Sequence, residues 1–524
     1  MPMSVAEEAR RPAFPAPARS AEGSVSLGRI ALIAAICAIP ILLYLPFLAE
    51  PFMRDEGFYA AVAQQMLDGG IPYRDAFDNK PPMIFVWYVL SFLMFGETIW
   101  APRLLVSLLL SATTLLVYLQ GRLLFGRQAG LLAALAFALS IGLAVFETNA
   151  NTEYFMLLPL VGSVYCFTLA ERNSDTRFYL LSGFLMGFAI LTKDTAVFTL
   201  PLLMLVAGNR MRLESGWSWA TLRALFKPVG GLMLGCGAAG VLTILPFVLT
   251  GTFDDMFNAL VVYTLDYVGV VPWQNRLIAT GIMPVFLFWL AGPWAVLAVV
   301  AIFHLARSRD SEHGLLLIGW VIVTVLGIVA AGRFYDHYYV ALLPVLALLV
   351  PLGLRAMREA GPFSRRAIAV VVALSIVPML VANADIYLQP NAAARHTAKY
   401  PNDERSVWET QGDQMGAWLA ARTSPDDYIY NLGFHSEIYF YADRKSPTRY
   451  LFDHPFRAGD RYIAEALDEL NANPPLYIVD TASYEYPYTL GYQNIDIGRW
   501  INAYYDYLGR IYYADVYKLR PAIE

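Results

Sequence analysis

Apolar residues along this chain are bunched into long runs separated by short polar loops. Runs of about 20 residues are long enough to cross a bilayer as helices. This pattern predicts a polytopic α-helical membrane protein. The runs lie near residues 29–49, 82–96, 101–122, 128–146, 152–171, 177–191, 195–208, 228–250, 277–305, 314–331, 336–356 and 366–386.

The loops between these runs carry arginine in a regular pattern. Cytoplasmic loops of membrane proteins are enriched in Lys and Arg. This bias places the N-terminus and every second loop in the cytoplasm, and it places the chain after about residue 388 on the outer side. The basic residues that define this topology are Arg10, Arg11, Arg19, Arg29, Arg122, Arg127, Arg172, Arg177, Arg210, Arg212, Arg223, Lys227, Arg307, Arg309, Arg355, Arg358, Arg365 and Arg366.

The same pattern indicates that one run does not cross the membrane. If Arg29 and Arg122 are both cytoplasmic, an even number of spans separates them, yet three apolar runs lie between. Of these three runs, the one at 82–96 is the shortest, and it falls below the length that a spanning helix needs. We therefore predict a juxtamembrane helix there, a long outward loop over about 50–100, and about eleven transmembrane helices.

Composition supports a membrane protein with three regions. Of 524 residues, 57% are hydrophobic and 15% are charged, whereas soluble domains have about 25% charged residues. No basic stripe with interleaved aromatic residues suggests nucleic acid binding. We predict a disordered cytoplasmic tail over 1–27, a transmembrane catalytic domain over 28–387 whose first span is not cleaved, and an extracytoplasmic domain over 388–524.

The C-terminal region is polar and rich in tyrosine, and it predicts a small α/β domain. Short strands are expected at Asp427–Leu432 and Leu476–Asp480, and a longer one at Ile511–Lys518. Helices are expected over 405–422 and 460–471. Tyr484–Tyr492 could stack on a carbohydrate, but folding and headgroup contact is the plainer interpretation.

Ionisable residues beside apolar spans are costly and are therefore candidates for function. In this chain, most of those outside the cytoplasmic loops collect on the predicted outer side. The first outward loop is the strongest candidate, because long loops in compact domains are usually functional. Its prolines Pro81 and Pro82 fix the chain beside Lys80, and a lysine held there can pair with a phosphate. Asp194, Arg276 and His337, taken singly, are more simply solvated loop residues or interfacial anchors.

The first loop, RDEGFYAAVAQQMLDGG followed by IPY and NKPP, resembles that of the GT-C glycosyltransferases. The similar subset contains the protein O-mannosyltransferases and the lipid A aminoarabinose transferases. The resemblance continues through APRLLVSLL, GRLLFGRQAG, NTEYFMLLPL, AILTKD and RFYDHYYVALLP and covers about residues 28–386. It implies a GT-C type fold and transfer of a sugar from a polyprenyl-phosphate carrier to an acceptor hydroxyl outside the membrane.

The resemblance also assigns residues. Asp55 matches the acidic residue that acts as base, and Lys80 matches the lysine that meets the carrier phosphate. Tyr338 or Tyr339 matches a tyrosine near that phosphate. Glu153 matches an acidic residue, often Asp in relatives, that lies near the lysine, and its longer side chain leaves that pairing open. The remaining candidates are Arg333 and Arg276 as further phosphate-binding cations, and Glu153, Lys193 and His337 as supporting residues.

Residue chemistry fits a single displacement with inversion at the anomeric carbon. A glycosidase needs one carboxylic acid to protonate its leaving group and a second carboxylate. A lipid phosphate leaves as a stabilised anion, so one carboxylate base and nearby cations are enough. Glu56 could assist the base, bind a sugar hydroxyl or cap the following helix.

No cofactor is expected for this reaction. Asp55, Glu56 and Glu153 could supply oxygen ligands to a divalent metal, but no ligand spacing demands one. The expected partners are a polyprenyl-phosphate sugar donor, a lipid, glycan or protein acceptor and the lipid bilayer, with no nucleic acid. The expected location is the inner or plasma membrane.

Three other interpretations remain at this stage. A non-enzymatic or transport role in lipid-linked glycan handling, as in a flippase, polymerase or ligase, would not need Asp-Glu followed by Lys-Pro-Pro. A secondary transporter would show an internal repeat, and we find none. A catalytically inactive relative would not need the set of Asp55, Lys80 and tyrosine.

Overall fold

The computed structural model of the chain describes residues 26–143, 148–216, 218–269, 272–307, 311–361, 381, 383–400, 409–481 and 495–521. The chain divides into two compact units. The first contains residues 1–46, 104–243 and 271–385, and the second contains residues 47–103, 244–270 and 386–524. The predicted tail 1–27 lies almost entirely outside the described residues, and the predicted domain boundaries stay predictions.

The first unit is built of helices. Seven helical segments of the chain are long and apolar enough to cross a membrane, and four shorter apolar helices accompany them among the described residues. The helices that form or enter this unit are Leu27–Tyr44, Ala101–Phe125, Arg127–Leu143, Thr152–Asn173, Thr176–Thr192, Thr199–Ser215, Trp219–Ala224, Phe226–Leu249, Trp273–Ala291, Pro293–Arg307, Ser311–Ala331 and Leu343–Ala360, with 3-10 turns at Leu45–Phe47, Asp194–Phe198 and Asp336–Leu342. The predicted class, a polytopic helical protein with a small α/β part, is confirmed.

Small residues allow close packing of helices inside this unit. A Cβ atom built on Gly183 would lie 2.1 Å from the carbonyl oxygen of Leu232, and one on Gly235 would lie 2.1 Å from that of Leu180. Only glycine fits at either position, so the backbones of the two helices touch. Without water to drive apolar burial, such small-residue contacts are a main source of helix association in a bilayer.

The predicted run 277–305 is two helices rather than one. Gly292 adopts a left-handed conformation with φ of 51°, and Pro293 starts the next helix. Proline lacks the N–H that would continue the first helix. The predicted run 366–386 lies mostly outside the described residues.

The second unit combines the first-loop segment with the C-terminal region. Its sheet has the order β1-β2-β4-β3, with β1 (Ile429–Leu432) and β2 (Tyr477–Asp480) parallel and β4 (Ala514–Leu519) antiparallel to both β2 and β3 (Tyr505–Ile511). The helices are Arg54–Leu67, Met83–Phe95, Phe253–Phe257, Thr264–Gly269, Ala392–Lys399, Gly412–Ala420, Glu437–Ala442, Asp460–Ala472 and Ile495–Tyr504, with a π-turn at Asn258–Tyr263 and a 3-10 turn at His454–Arg457.

The two short strands and the helix near 460–471 lie where they were predicted, but the last strand does not. The predicted strand Ile511–Lys518 is interrupted by a tight turn, in which Tyr512 has φ of 53°, and a second strand precedes it. Glycine and asparagine usually mark such turns. Here tyrosines occupy the turn, so the sequence looked like uninterrupted strand. Of the predicted helix 405–422, only Gly412–Ala420 is helical among the described residues, and Tyr484–Tyr492 is not described.

A buried ionic network stabilises the second unit. Glu50 Oε2 lies 2.9 Å from Lys399 Nζ and 3.9 Å from His396 Nδ1. The other ring nitrogen of His396 is 2.7 Å from Glu409 Oε2, and Arg54 Nε lies 3.8 Å from Glu409 Oε1. Burial would lower the pKa of His396, but the carboxylates of Glu409 and Glu50 outweigh burial and raise it. Burial would raise the pKa of Glu409, but His396 and Arg54 lower it.

We expect this network to give the folded protein a pH optimum of stability. A raised His396 pKa contributes stability that is complete below the unfolded value of 6.5 and is lost as pH rises through the folded pKa. The lowered pKa of Glu409 contributes stability that is complete above 4.5 and is lost as pH falls. The thermal midpoint of the purified protein should therefore be highest between those values. His396→Gln should remove the decline on the alkaline side, while His304→Gln should keep it; an unchanged profile in His396→Gln would contradict this account.

Candidate active site in the first loop

The predicted base lies in the first turn of the helix Arg54–Leu67. Asp55 is partly exposed, whereas its neighbour Glu56 is fully buried. Glu56 Oε2 accepts a hydrogen bond of 3.0 Å from the backbone N–H of Met53, which is the geometry of a helix cap. Adjacent carboxylates on one helix thus have different surroundings, and only Asp55 is accessible to a substrate.

Arg103 fixes the start of this helix. Its guanidinium forms an ion pair with both carboxylate oxygens of Glu56, with Nε 2.9 Å from Oε1. It also donates hydrogen bonds to the carbonyl oxygens of Phe47 (3.3 Å), Pro51 (2.8 Å) and Glu50. Arg103 is 1% exposed, so one buried cation satisfies a carboxylate and three carbonyls. Both oxygens of Glu56 are committed to this arrangement, which favours the capping role among the three roles that the sequence left open.

The loop that carries Lys80 is fixed from within. The Tyr73 hydroxyl donates a 2.8 Å hydrogen bond to the carbonyl oxygen of Lys80. Pro82 then precedes the helix Met83–Phe95. Lys80 Nζ lies 3.4 Å from Asp78 Oδ1 and 6.0 Å from the centre of the Tyr59 ring. The ammonium is therefore directed to the same part of the molecule as the helix of Asp55.

Asp78 interacts with both Asp55 and Lys80. Its side chain is fully buried. Burial raises the pKa of Asp78, the nearby charge of Asp55 raises it further, and Lys80 opposes both. Asp78 thus contacts Lys80 and lies within the electric field of the Asp55 carboxylate.

Asp78 and Arg103 are not among the predicted site residues, although the sequence holds a signal for each. Asp78 lies two positions before Lys80 in the string that carries the resemblance. Arg103 lies at the outward end of a predicted span, which is contrary to the positive-inside bias. A cation on that side of a span calls for a buried partner, and Glu56 is that partner.

A second group of predicted residues lies in the first unit. Lys193 Nζ is 3.0 Å from Glu153 Oε1 and 4.4 Å from the centre of the Tyr338 ring, and the rings of His337 and Tyr338 are 4.9 Å apart. Glu153 and Tyr338 border a small cavity of about 20 Å³ whose other walls are apolar or carry threonine, formed by Met156, Leu160, Thr195, Ala196, Thr199, Thr324, Ile328 and Ala341. The predicted supporting residues Glu153, Lys193 and His337 therefore lie together with Tyr338.

The predicted phosphate-binding arginines are also neighbours of one another in this unit. Arg276 donates a 3.0 Å hydrogen bond to the carbonyl oxygen of Ala330 at the end of the helix Ser311–Ala331, where a cation complements the helix dipole. A Cβ atom on Gly332 would lie 2.9 Å from the Arg276 guanidinium carbon, and Arg333 follows directly. Tyr339 is buried beside Tyr338.

Among the residues that the structure describes, no group of three or more His, Cys, Asp or Glu side chains could hold a metal ion. The expectation that no metal is required stays a prediction.

This chain is similar to several known proteins. Residues 79–229 match the family model described as dolichyl-phosphate-mannose-protein mannosyltransferase. No curated protein sequence matches the chain. Among solved structures, ArnT from Cupriavidus metallidurans bound to undecaprenyl phosphate is similar with a TM-score of 0.59 and 16% identity, over 95% of this chain and 99% of that one. Its apo state gives a TM-score of 0.57 and 17% identity, over 94% and 98% of the two chains.

The archaeal oligosaccharyltransferase AglB from Archaeoglobus fulgidus, in complex with an inhibitory peptide and a dolichol-phosphate, is similar with a TM-score of 0.50 and 14% identity, over 88% of this chain and 70% of that one. At these identities the likeness is one of fold. The predicted resemblance to the GT-C glycosyltransferases is confirmed, and the chain shares its fold with ArnT over 95% of its length.

Proposed function

We propose that this chain, a multi-pass membrane protein with the GT-C fold, is a glycosyltransferase. It takes a sugar from a polyprenyl-phosphate donor and transfers it to an acceptor hydroxyl on the outer face of the inner membrane. The observation that carries the proposal is that the Lys80 ammonium lies 3.4 Å from the buried Asp78 and 6.0 Å from the centre of the Tyr59 ring, on the helix whose first turn carries the accessible Asp55. The solved structures of ArnT with undecaprenyl phosphate and AglB with dolichol-phosphate support a donor of this class.

The chemistry follows from the charges. Asp55 accepts the proton of the acceptor hydroxyl as its oxygen attacks the anomeric carbon. The bond from that carbon to the phosphate oxygen breaks, and the electron pair leaves with the polyprenyl phosphate. Lys80 stabilises the charge that develops on this leaving group, so no carboxylic acid is needed to protonate it. A single displacement of this kind inverts the anomeric configuration. The participation of Arg276, Arg333, Tyr338 and Tyr339 in phosphate binding stays a prediction.

The product is tested in cells and by mass spectrometry. Envelope glycans and lipids of a deletion strain should lack one sugar, and a strain that carries Asp55→Asn should lack the same sugar. Restoring the wild-type gene should restore it. An Asp55→Asn strain with the full set of sugars would contradict the proposal, and an unchanged deletion strain would do the same.

Replacing Lys80 with Ala should weaken use of the donor more than folding. Lys80 is partly exposed and about 3.4 Å from one carboxylate. A hydrogen bond to a charged group contributes about 1.5–3 kcal/mol, which corresponds to about 10- to 100-fold in kcat/KM for the donor. The measurement is release of polyprenyl phosphate by the purified protein at varied donor concentration. Lys445→Ala, which removes an exposed lysine 3.9 Å from Asp68, is the matched control; equal donor dependence in the two variants would remove Lys80 from the site.

A further inference from the structure

The buried oxygen of Asp78 is an unexplained group in the first loop. Asp78 Oδ1 accepts a 2.7 Å hydrogen bond from the backbone N–H of Asn79 and lies 3.4 Å from Lys80 Nζ. Among the residues that the structure describes, none donates a hydrogen bond to Asp78 Oδ2, and this oxygen is buried. A buried acceptor without a partner costs free energy, and such a group calls for a specific explanation.

The position of Asp78 suggests what completes it. In the proposed reaction, the anomeric carbon of the transferred sugar is bonded to the phosphate on one side, and the acceptor hydroxyl attacks this carbon from the other side. The phosphate is next to Lys80, and the attacking hydroxyl is next to Asp55. Asp78 Oδ1 lies 3.4 Å from Lys80 Nζ, and the charge of Asp55 raises the pKa of Asp78. Because the sugar joins these two groups in the reaction, a buried acid against Lys80 and within the field of Asp55 is close to where the sugar would bind.

The chemical class of the missing partner follows from charge. A carboxylate oxygen accepts hydrogen bonds and repels anions. The donor phosphate is therefore matched to Lys80 and excluded as the partner of Asp78 Oδ2. A hydroxyl or amino group on the sugar ring is the part of the donor that can donate to it.

We propose that Asp78 is a specificity-determining residue, whose free oxygen accepts a hydrogen bond from one ring hydroxyl or amino group of the transferred sugar. This assignment rests on the proposed function. It makes a donor that lacks this one group a poor substrate, because the buried carboxylate is then left unpaired in the complex. Sites built to hydrogen-bond a substrate group reject analogues without it far more strongly than apolar pockets do.

The test compares donors on one preparation of full-length protein. The probes are farnesyl-phosphate monosaccharides and their monodeoxy analogues, with an extract of envelope lipids and glycans as the acceptor, and release of farnesyl phosphate is measured. For wild type, removing one particular ring substituent should lower kcat/KM by about 10- to 100-fold. In Asp78→Ala, the parent donor and that analogue should be used equally well. The ratio of two kcat/KM values does not depend on the folded fraction, so a partly unfolded variant still gives an answer.

Two further variants sharpen the result. Asp78→Asn retains an acceptor oxygen and should restore part of the discrimination. Asp75→Asn, which changes another carboxylate of the same loop paired with the exposed Arg74, should keep the wild-type profile. If Asp78→Ala discriminates among the analogues as wild type does, this assignment fails while the proposed function stands. If folded wild-type protein releases farnesyl phosphate from no donor in the panel, the proposed function fails, and the assignment fails with it.

Discussion

Asp55→Asn should abolish sugar transfer while the protein stays folded. Asparagine has nearly the same shape as aspartate but cannot accept the acceptor's proton, and a positioned general base contributes about 10²–10⁴-fold in rate. Asp55 is partly exposed in the first turn of its helix, and the change to Asn keeps the size of the side chain. The measurement is single-turnover release of polyprenyl phosphate, with the thermal midpoint recorded on the same sample.

The matched control is Asp68→Asn. Asp68 caps the other end of the same helix, is about half exposed and has Lys445 3.9 Å away. It offers the same chemical change, on the same helix, away from Lys80 and Asp78. We expect turnover close to wild type in this variant. Transfer at the wild-type rate by Asp55→Asn would show that another group takes the proton.

The second large effect concerns folding. Arg103→Ala should strongly destabilise the second unit, because it leaves the Glu56 carboxylate buried without its cation and removes the donor for three carbonyl oxygens. Removing one partner of a buried ion pair typically costs about 3–5 kcal/mol. The loss should appear as a lower thermal midpoint and as faster proteolysis within the first loop. Arg74→Ala, which breaks a pair with about half of each partner exposed, should change stability little.

A double-mutant cycle separates the roles that the sequence left open for Glu56. If Glu56 acts as cap and partner of Arg103, Glu56→Gln should lower stability, and the double variant with Arg103→Ala should lose less than the sum of the single effects. If Glu56 assists the base or binds a sugar hydroxyl, Glu56→Gln should lose turnover at an unchanged thermal midpoint. The geometry leads us to expect the first result.

Several elements of this protein followed from local sequence rules. Apolar runs of spanning length predict transmembrane helices because a bilayer requires every backbone polar group to be satisfied within the segment. The arginine pattern, combined with the short run 82–96, predicted a long first loop, and the helix Met83–Phe95 has only 13 residues. The short strands β1 and β2 followed from their β-branched and aromatic residues. Each of these signals is contained in a continuous stretch of chain.

Pairings between distant residues did not follow from the sequence. Glu56 and Arg103 are 47 positions apart, and Glu50 and Lys399 are 349 apart, so no helix or strand period relates them. The turn at Tyr512 was missed because its residues are common in strands. The role of Gly57 was also invisible: a Cβ there would lie 2.4 Å from Glu437 Cβ, a contact that only the folded second unit creates.

The sequence by itself determined that this chain is a helical membrane protein whose first loop carries Asp55 and Lys80, because apolar length and charge sidedness are properties of segments. Only the tertiary structure decided what those residues meet. It buried Glu56 under Arg103, left Asp55 accessible and placed Asp78 against Lys80. Burial and charge pairing depend on distances between segments remote in the chain, and packing alone sets those distances.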